Sequence, residues 1–133
     1  MQRTTVMPDE LYDSTDKQYV HAIVTDGTLH MSGQVATDPD GDVVGDSIQT
    51  QTRQAFDNVG AILDEVGLKF DDVVKVTSYL VDVQGDYDGY KAVFSEFFDE
   101  PFPCHTMLGV DALAHEAFLV ELEIEAPLPE EKR

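Results

Sequence analysis

The seven residues Val120-Glu121-Leu122-Glu123-Ile124-Glu125-Ala126 leave this chain little structural choice. Successive side chains of a strand point to opposite faces. Val120, Leu122, Ile124 and Ala126 therefore share one face, and Glu121, Glu123 and Glu125 share the other. The apolar row has to be buried against a second layer. The carboxylate row is then left on an open face. In a single chain it is solvated. In an assembly it faces a neighbour, and at least one carboxylate needs a partner or a function.

Other segments supply the second layer and the rest of the sheet. Tyr19 to Thr25 and Thr28 to Ser32 read as strands joined by Asp26-Gly27, a strong signal for a type I′ hairpin. From Ile48 to Val66, the positions Ile48, Ala55, Phe56, Val59, Ile62, Leu63 and Val66 recur at helical spacing and predict one buried stripe. Asp46 can cap its start and Gly67 can end it. Asp72 to Asp82 reads as a strand with Val74, Val76 and Leu80 on one face and Lys75, Thr77 and Tyr79 on the other. Asp86 to Phe98 reads as a second helix, with Tyr87, Tyr90, Phe94, Phe97 and Phe98 as a core stripe. Strands near Cys104–Val110 and Phe118–Ala126 close the chain. The expected fold is α+β, a two-layer sandwich with a mixed sheet and two helices on one face, in a single domain spanning residues 1–133.

The chain has 8 basic and 27 acidic residues, a formal net charge of −19. A field of that sign repels nucleic acid, whose binding needs Lys and Arg to neutralise phosphates. It suits a salty medium, where the Debye length falls to about 3 Å at 1 M, and so predicts a halophilic host. No run approaches the roughly 18–20 apolar residues of a membrane helix, and Met1 to Val6 holds no apolar signal core. A cytoplasmic protein is expected. The one cysteine, Cys104, excludes an intrachain disulfide and a cysteine-based metal cluster.

Few residues suggest cofactor or metal chemistry. Glycine-rich phosphate loops and a nucleophilic serine motif are absent, and no cofactor is expected. Asp38, Asp40 and Asp42 imitate the start of a calcium loop. Gly41 comes too early for one, and no helices flank the segment, so a solvated turn is expected. The hairpin register sets His21 and His30 diagonally at about 7–8 Å, with no third ligand in view. Cys104 and His105 are neighbours on a strand and point apart, which rules out a thiol–imidazole dyad and leaves Cys104 as a small core residue.

Several motifs occur in a telling order: Ser32-Gly33-Gln34, Gln51-Thr52-Arg53-Gln54-Ala55-Phe56, Val73 to Asp82, Phe97-Phe98, Pro101-Phe102-Pro103 and Glu123-Ile124-Glu125-Ala126. From Tyr19 to Ala126 the chain resembles the YjgF/Rid family of reactive-intermediate deaminases, also labelled endoribonuclease L-PSP. The resemblance implies a chorismate-mutase-like fold and a homotrimer with ligand clefts between subunits. It also implies hydrolysis of enamines or imines to ketone and ammonia.

By that resemblance Tyr19 is the aromatic wall of the cleft, and Glu123 is the carboxylate that directs water. Ser32, Gln34 and Met107 would join them as substrate contacts, with Met107 making the floor more apolar. The family's Pro-Ala-Arg motif reads Pro103-Cys104-His105 here, so His105 stands where an Arg would grip the substrate carboxylate. Arg is planar, bidentate and permanently charged, whereas a His near its ordinary pKa is mostly neutral at pH 7. A weakened or altered activity is therefore expected. Two alternatives stand beside it: a trimeric binder of a small metabolite without turnover, and an endoribonuclease or translation inhibitor, against which the net charge argues. Arg53, on the first long helix, is expected to face solvent.

Overall fold

A computed structural model of the chain describes residues 2–133. Six strands form one mixed sheet: β1 (Arg3–Val6), β2 (Ala22–Thr25), β3 (Thr28–Met31), β4 (Lys75–Leu80), β5 (Cys104–Gly109) and β6 (Val120–Pro127). Their spatial order is β1-β2-β3-β6-β4-β5. All pairs are antiparallel except β4 with β5, which are parallel. Helices α1 (Ile48–Glu65) and α2 (Val83–Phe97) form the second layer. The architecture is the expected two-layer α+β sandwich, and no helix among the described residues is long and apolar enough to cross a membrane.

The alternation in β6 carries the core. Val120, Leu122, Ile124 and Ala126 are fully buried, and Glu121, Glu123 and Glu125 lie on the other face. Phe56 of α1 is also fully buried, and its ring meets Phe70, Tyr90, Phe94, Phe97 and Phe98. Asp26 and Gly27 both adopt positive φ, as a type I′ turn requires. At the end of α1, Gly67 N–H bonds Asp64 O and Leu68 N–H bonds Leu63 O, the Schellman arrangement that the positive φ of Gly67 permits.

The structure corrects several local expectations. The cap of α1 is Ser47, whose hydroxyl accepts from Thr50 N–H, rather than Asp46. Helix α2 begins a turn earlier than Asp86, because the Asp82 carboxylate accepts from Gly85 N–H and nucleates it there. Val93 joins the α2 core stripe, while Tyr87 is 44% exposed. Val74 precedes β4 and is exposed, and Ser78 takes the buried place between Val76 and Leu80. Tyr19 to His21 lie before β2, where His21 N–H donates to Met7 Sδ and the Tyr19 carbonyl accepts from Ser14 Oγ of the N-terminal segment. An edge strand, β1, pairs with β2 where no strand was expected. Cys104 is exposed rather than core, since it pairs with Lys75 on the open face of an edge strand.

Candidate functional site

Among the concavities of the molecule, one on the open face and one at the edge of the sheet gather most of the expected site residues. The first is a cavity of about 360 Å³. The N-terminal segment supplies Tyr12, Lys17 and Tyr19, the exit of β3 supplies Ser32 and Gly33, the loop before β6 supplies Phe118, and β6 supplies Glu121. The Tyr12 and Tyr19 hydroxyls are hydrogen-bonded to each other, and Lys17 Nζ stands 4.8 Å above the Tyr12 ring. Burial, then the bond to Tyr12, raises the Tyr19 phenol well above the usual tyrosine range, so it stays a donor. Ser32 Oγ donates to Val20 O at 2.7 Å.

Glu121 is packed against Gly33, where any Cβ would collide with its carboxyl. Burial, and then the charge of Glu123, raise its pKa. Glu123 follows two residues on along the same face. Its Oε1 accepts from the Tyr79 hydroxyl at 2.7 Å. That hydrogen bond is the largest cause of a raised Tyr79 pKa.

Gln34 does not open on the cavity. It is buried behind it, where its Nε2 donates to Ser32 O at 3.1 Å and reaches His21 Nδ1 at 3.3 Å. His21 Nε2 is 2.9 Å from Tyr12 O. Both ring nitrogens of His21 are therefore occupied, while His30 lies out at the surface 3.5 Å from Glu125. Asp38, Asp40 and Asp42 form a turn in which Asp38 Oδ1 accepts from the N–H groups of Asp40 and Asp42.

The second concavity, a hollow of about 340 Å³, lies at the other side of the sheet. Lys91 and Phe94 of α2, Phe102 before β5, and His105 and Met107 of β5 line it. His105 pairs with the buried Val76 and therefore points toward the helix layer. Its ring stacks on Phe94 at 4.5 Å and 7°. Its Nε2 is 3.1 Å from the Tyr90 hydroxyl and 3.2 Å from Ser78 Oγ. Burial, then the Lys75 charge, lower the His105 pKa. Both favour the neutral imidazole, and the hollow is also lined by the cation Lys91, 5.1 Å above the Tyr87 ring.

Known proteins are similar to this chain in fold and in sequence. The family described as Endoribonuclease L-PSP matches residues 12–127. The chain belongs to the YjgF/Rid family. AldR of Lactococcus lactis is 40% identical over 80% of this chain and 83% of its own length. A human YjgF/Rid relative named 2-iminobutanoate/2-iminopropanoate deaminase is 33% identical over 81% of this chain and 77% of its own. A solved structure of protein YjgH superposes with a TM-score of 0.89 at 35% identity, covering 98% of this chain and 99% of that one.

Within this YjgF/Rid chain, Tyr19 and Ser32 meet at the first cavity, and His105 and Met107 meet at the second hollow. Glu123 stands beside the first. Glu121, Tyr12, Lys17 and Phe118 were not singled out from sequence as site residues. Glu121 was visible in the period-two carboxylate row, but the family resemblance singled out Glu123 and alternation alone gave Glu121 no place of its own. Tyr12 carries no local signal, because it reaches the cavity only through the fold of the N-terminal segment. Arg53 faces solvent, where its guanidinium binds the Glu96 carboxylate at 2.7 and 2.9 Å.

Proposed function

We propose that this protein hydrolyses reactive imines or enamines to ketone and ammonia in a cleft between subunits, with Glu123 directing the attacking water. The supporting observation is that Glu123 and His105 lie on opposite faces of one sheet. Glu123 pairs with Thr77 on the open face, and His105 pairs with Val76 on the helix face. Within one chain they cannot touch the same substrate. Between chains they can, because β5 ends the sheet and its outer hydrogen-bonding groups are free to approach a neighbour. Phe102, 60% exposed, and Leu108, 45% exposed, flank that edge and favour its being covered.

The reading therefore includes a homotrimer, in which the Tyr19 and Glu123 side of one subunit faces the His105 and Met107 side of the next. Multi-angle light scattering at multimolar salt should report three chains per particle, since salt screens the charge of −19. A monomer at both low and multimolar salt would remove the assembly.

The activity is tested by generating 2-imino acids with an amino-acid oxidase in high salt and following ammonia release with and without the protein. Acceleration is expected. A rate equal to the uncatalysed one across several imino acids would overturn the proposal and leave a binding role for the cleft. RNA is a poor candidate ligand, because eight basic residues stand against 27 acidic ones.

His105 sets the limit on anionic substrates. A neutral imidazole lacks the charge-assisted bond an Arg makes to a carboxylate, which is worth about 1.5–3 kcal/mol. His105→Arg should raise kcat/KM for 2-imino acids by about tenfold to 150-fold. It should leave an uncharged imine nearly unaffected. No gain on the anionic substrate would show that this position does not contact its carboxylate.

A further inference from the structure

Imine hydrolysis needs two proton movements at different atoms. A base takes a proton from water as its oxygen bonds the imine carbon, and an acid gives a proton to nitrogen so that the C–N bond can break. Resting on the proposed activity, we propose that Glu121 is the proton donor to the departing nitrogen and Glu123 the base for water.

The geometry assigns these roles differently to two glutamates that look alike in sequence. They are two residues apart on one face of β6, about 7 Å along an extended strand, which leaves room for a water and a carbinol carbon between them. Glu123 accepts a hydrogen bond from Tyr79 and is held as an acceptor toward solvent. Glu121 lines the aromatic cavity itself, against Tyr12, Tyr19, Ser32 and Phe118.

Among the described residues, no hydrogen bond holds Glu121 ionised. Burial and the nearby Glu123 both favour its protonated form. A carboxyl enclosed by a cavity beside one that is open to water and bonded by Tyr79 is an arrangement that can divide acid from base. The groups facing Glu121 are Glu123 and Tyr79 from the sheet, Tyr12, Lys17 and Tyr19 from the N-terminal segment, and Phe118 from the loop beside His115. Lys17 is the one side chain among them that carries a fixed positive charge, and it lies over the Tyr12 ring.

The reaction closes as follows. Water adds to the iminium carbon and its proton passes to the Glu123 carboxylate, which gives a neutral carbinolamine. The Glu121 carboxyl proton moves to the amine nitrogen, the C–N bond breaks, and the carbinol O–H proton returns to Glu121 as the ketone forms. Ammonia takes the proton held on Glu123 and leaves as ammonium. Both carboxyl groups are restored.

The test is the pH dependence of kcat for wild type, Glu121→Gln, Glu121→Asp and Gly33→Ala, measured by ammonia release in high salt. Activity that needs protonated Glu121 falls as pH rises through its pKa, and burial shifts that alkaline limb upward from the ordinary glutamate value. Glu121→Gln should lower kcat about 10²-fold with little change in KM and should abolish the limb. Glu121→Asp should keep the limb with partial activity. Gly33→Ala, whose Cβ displaces the Glu121 carboxyl, should reproduce the loss without touching residue 121.

An active wild type whose Glu121→Gln variant keeps the same kcat and limb overturns the inference and leaves the proposed activity standing. A slow Glu121→Gln variant that retains the limb also overturns it, because Glu121 would then only shape the cavity. A wild type without hydrolysis removes the activity and this inference together.

Discussion

Glu123→Gln should lower kcat for imine hydrolysis by about 10²–10⁴-fold, the span over which a positioned base contributes. The substitution keeps an oxygen that can accept from Tyr79, so the 2.7 Å contact and the sheet around it survive. What it removes is the ability to take a proton from water. KM should change little, because the amide fills the same volume beside the cavity. Steady-state ammonia release and a thermal melt of the variant check both points together. Wild-type turnover by a folded Glu123→Gln protein would take the water-directing role away from this residue.

Phe56→Ala should destabilise the fold by about 3–5 kcal/mol, a large share of the roughly 5–15 kcal/mol that holds a domain together. Phe56 has no exposed surface and is the ring on which five other aromatic rings converge. Removing it leaves a cavity between α1 and α2 that the rigid rings around it cannot collapse to fill. Urea unfolding read by circular dichroism would measure the loss, and a change under about 1 kcal/mol would show that the cluster repacks. The same cluster reaches the hollow, because Phe94 contacts Phe56 on one side and stacks on His105 on the other. A folded Phe56→Ala protein should therefore also hold the His105 ring less firmly.

Much of the scaffold was legible before any coordinates, because periodicity is a local property. The period of two in β6 named its buried and open faces residue by residue, and the Asp26-Gly27 turn fixed the register of β2 against β3. Where the expectations missed, the cause was a contact between distant segments. Strand β1 exists because Arg3–Val6 finds the free edge of β2. Cys104 is exposed because β5 ends the sheet, a fact that its small apolar side chain does not carry. Tyr87 fits the aromatic spacing of α2 yet stands at the rim of the hollow, since the helix stripe is wider than the surface it covers.

The candidate site divides along the same line. The sequence by itself determined the sheet face that carries the carboxylates and the presence of an imidazole after Pro103-Cys104. It determined as well an acidic excess that no folding can alter. Only the tertiary structure decided which carboxylate enters a cavity, because that depends on where the N-terminal segment places Tyr12 and Tyr19 and on the missing side chain at Gly33. Only the parallel register of β5 on β4 decided that His105 turns toward Tyr90 and Phe94, away from Glu123. Alternation along a strand says which residues share a face. Which face meets which neighbour is set by strand order and by burial, and these belong to the assembled sheet.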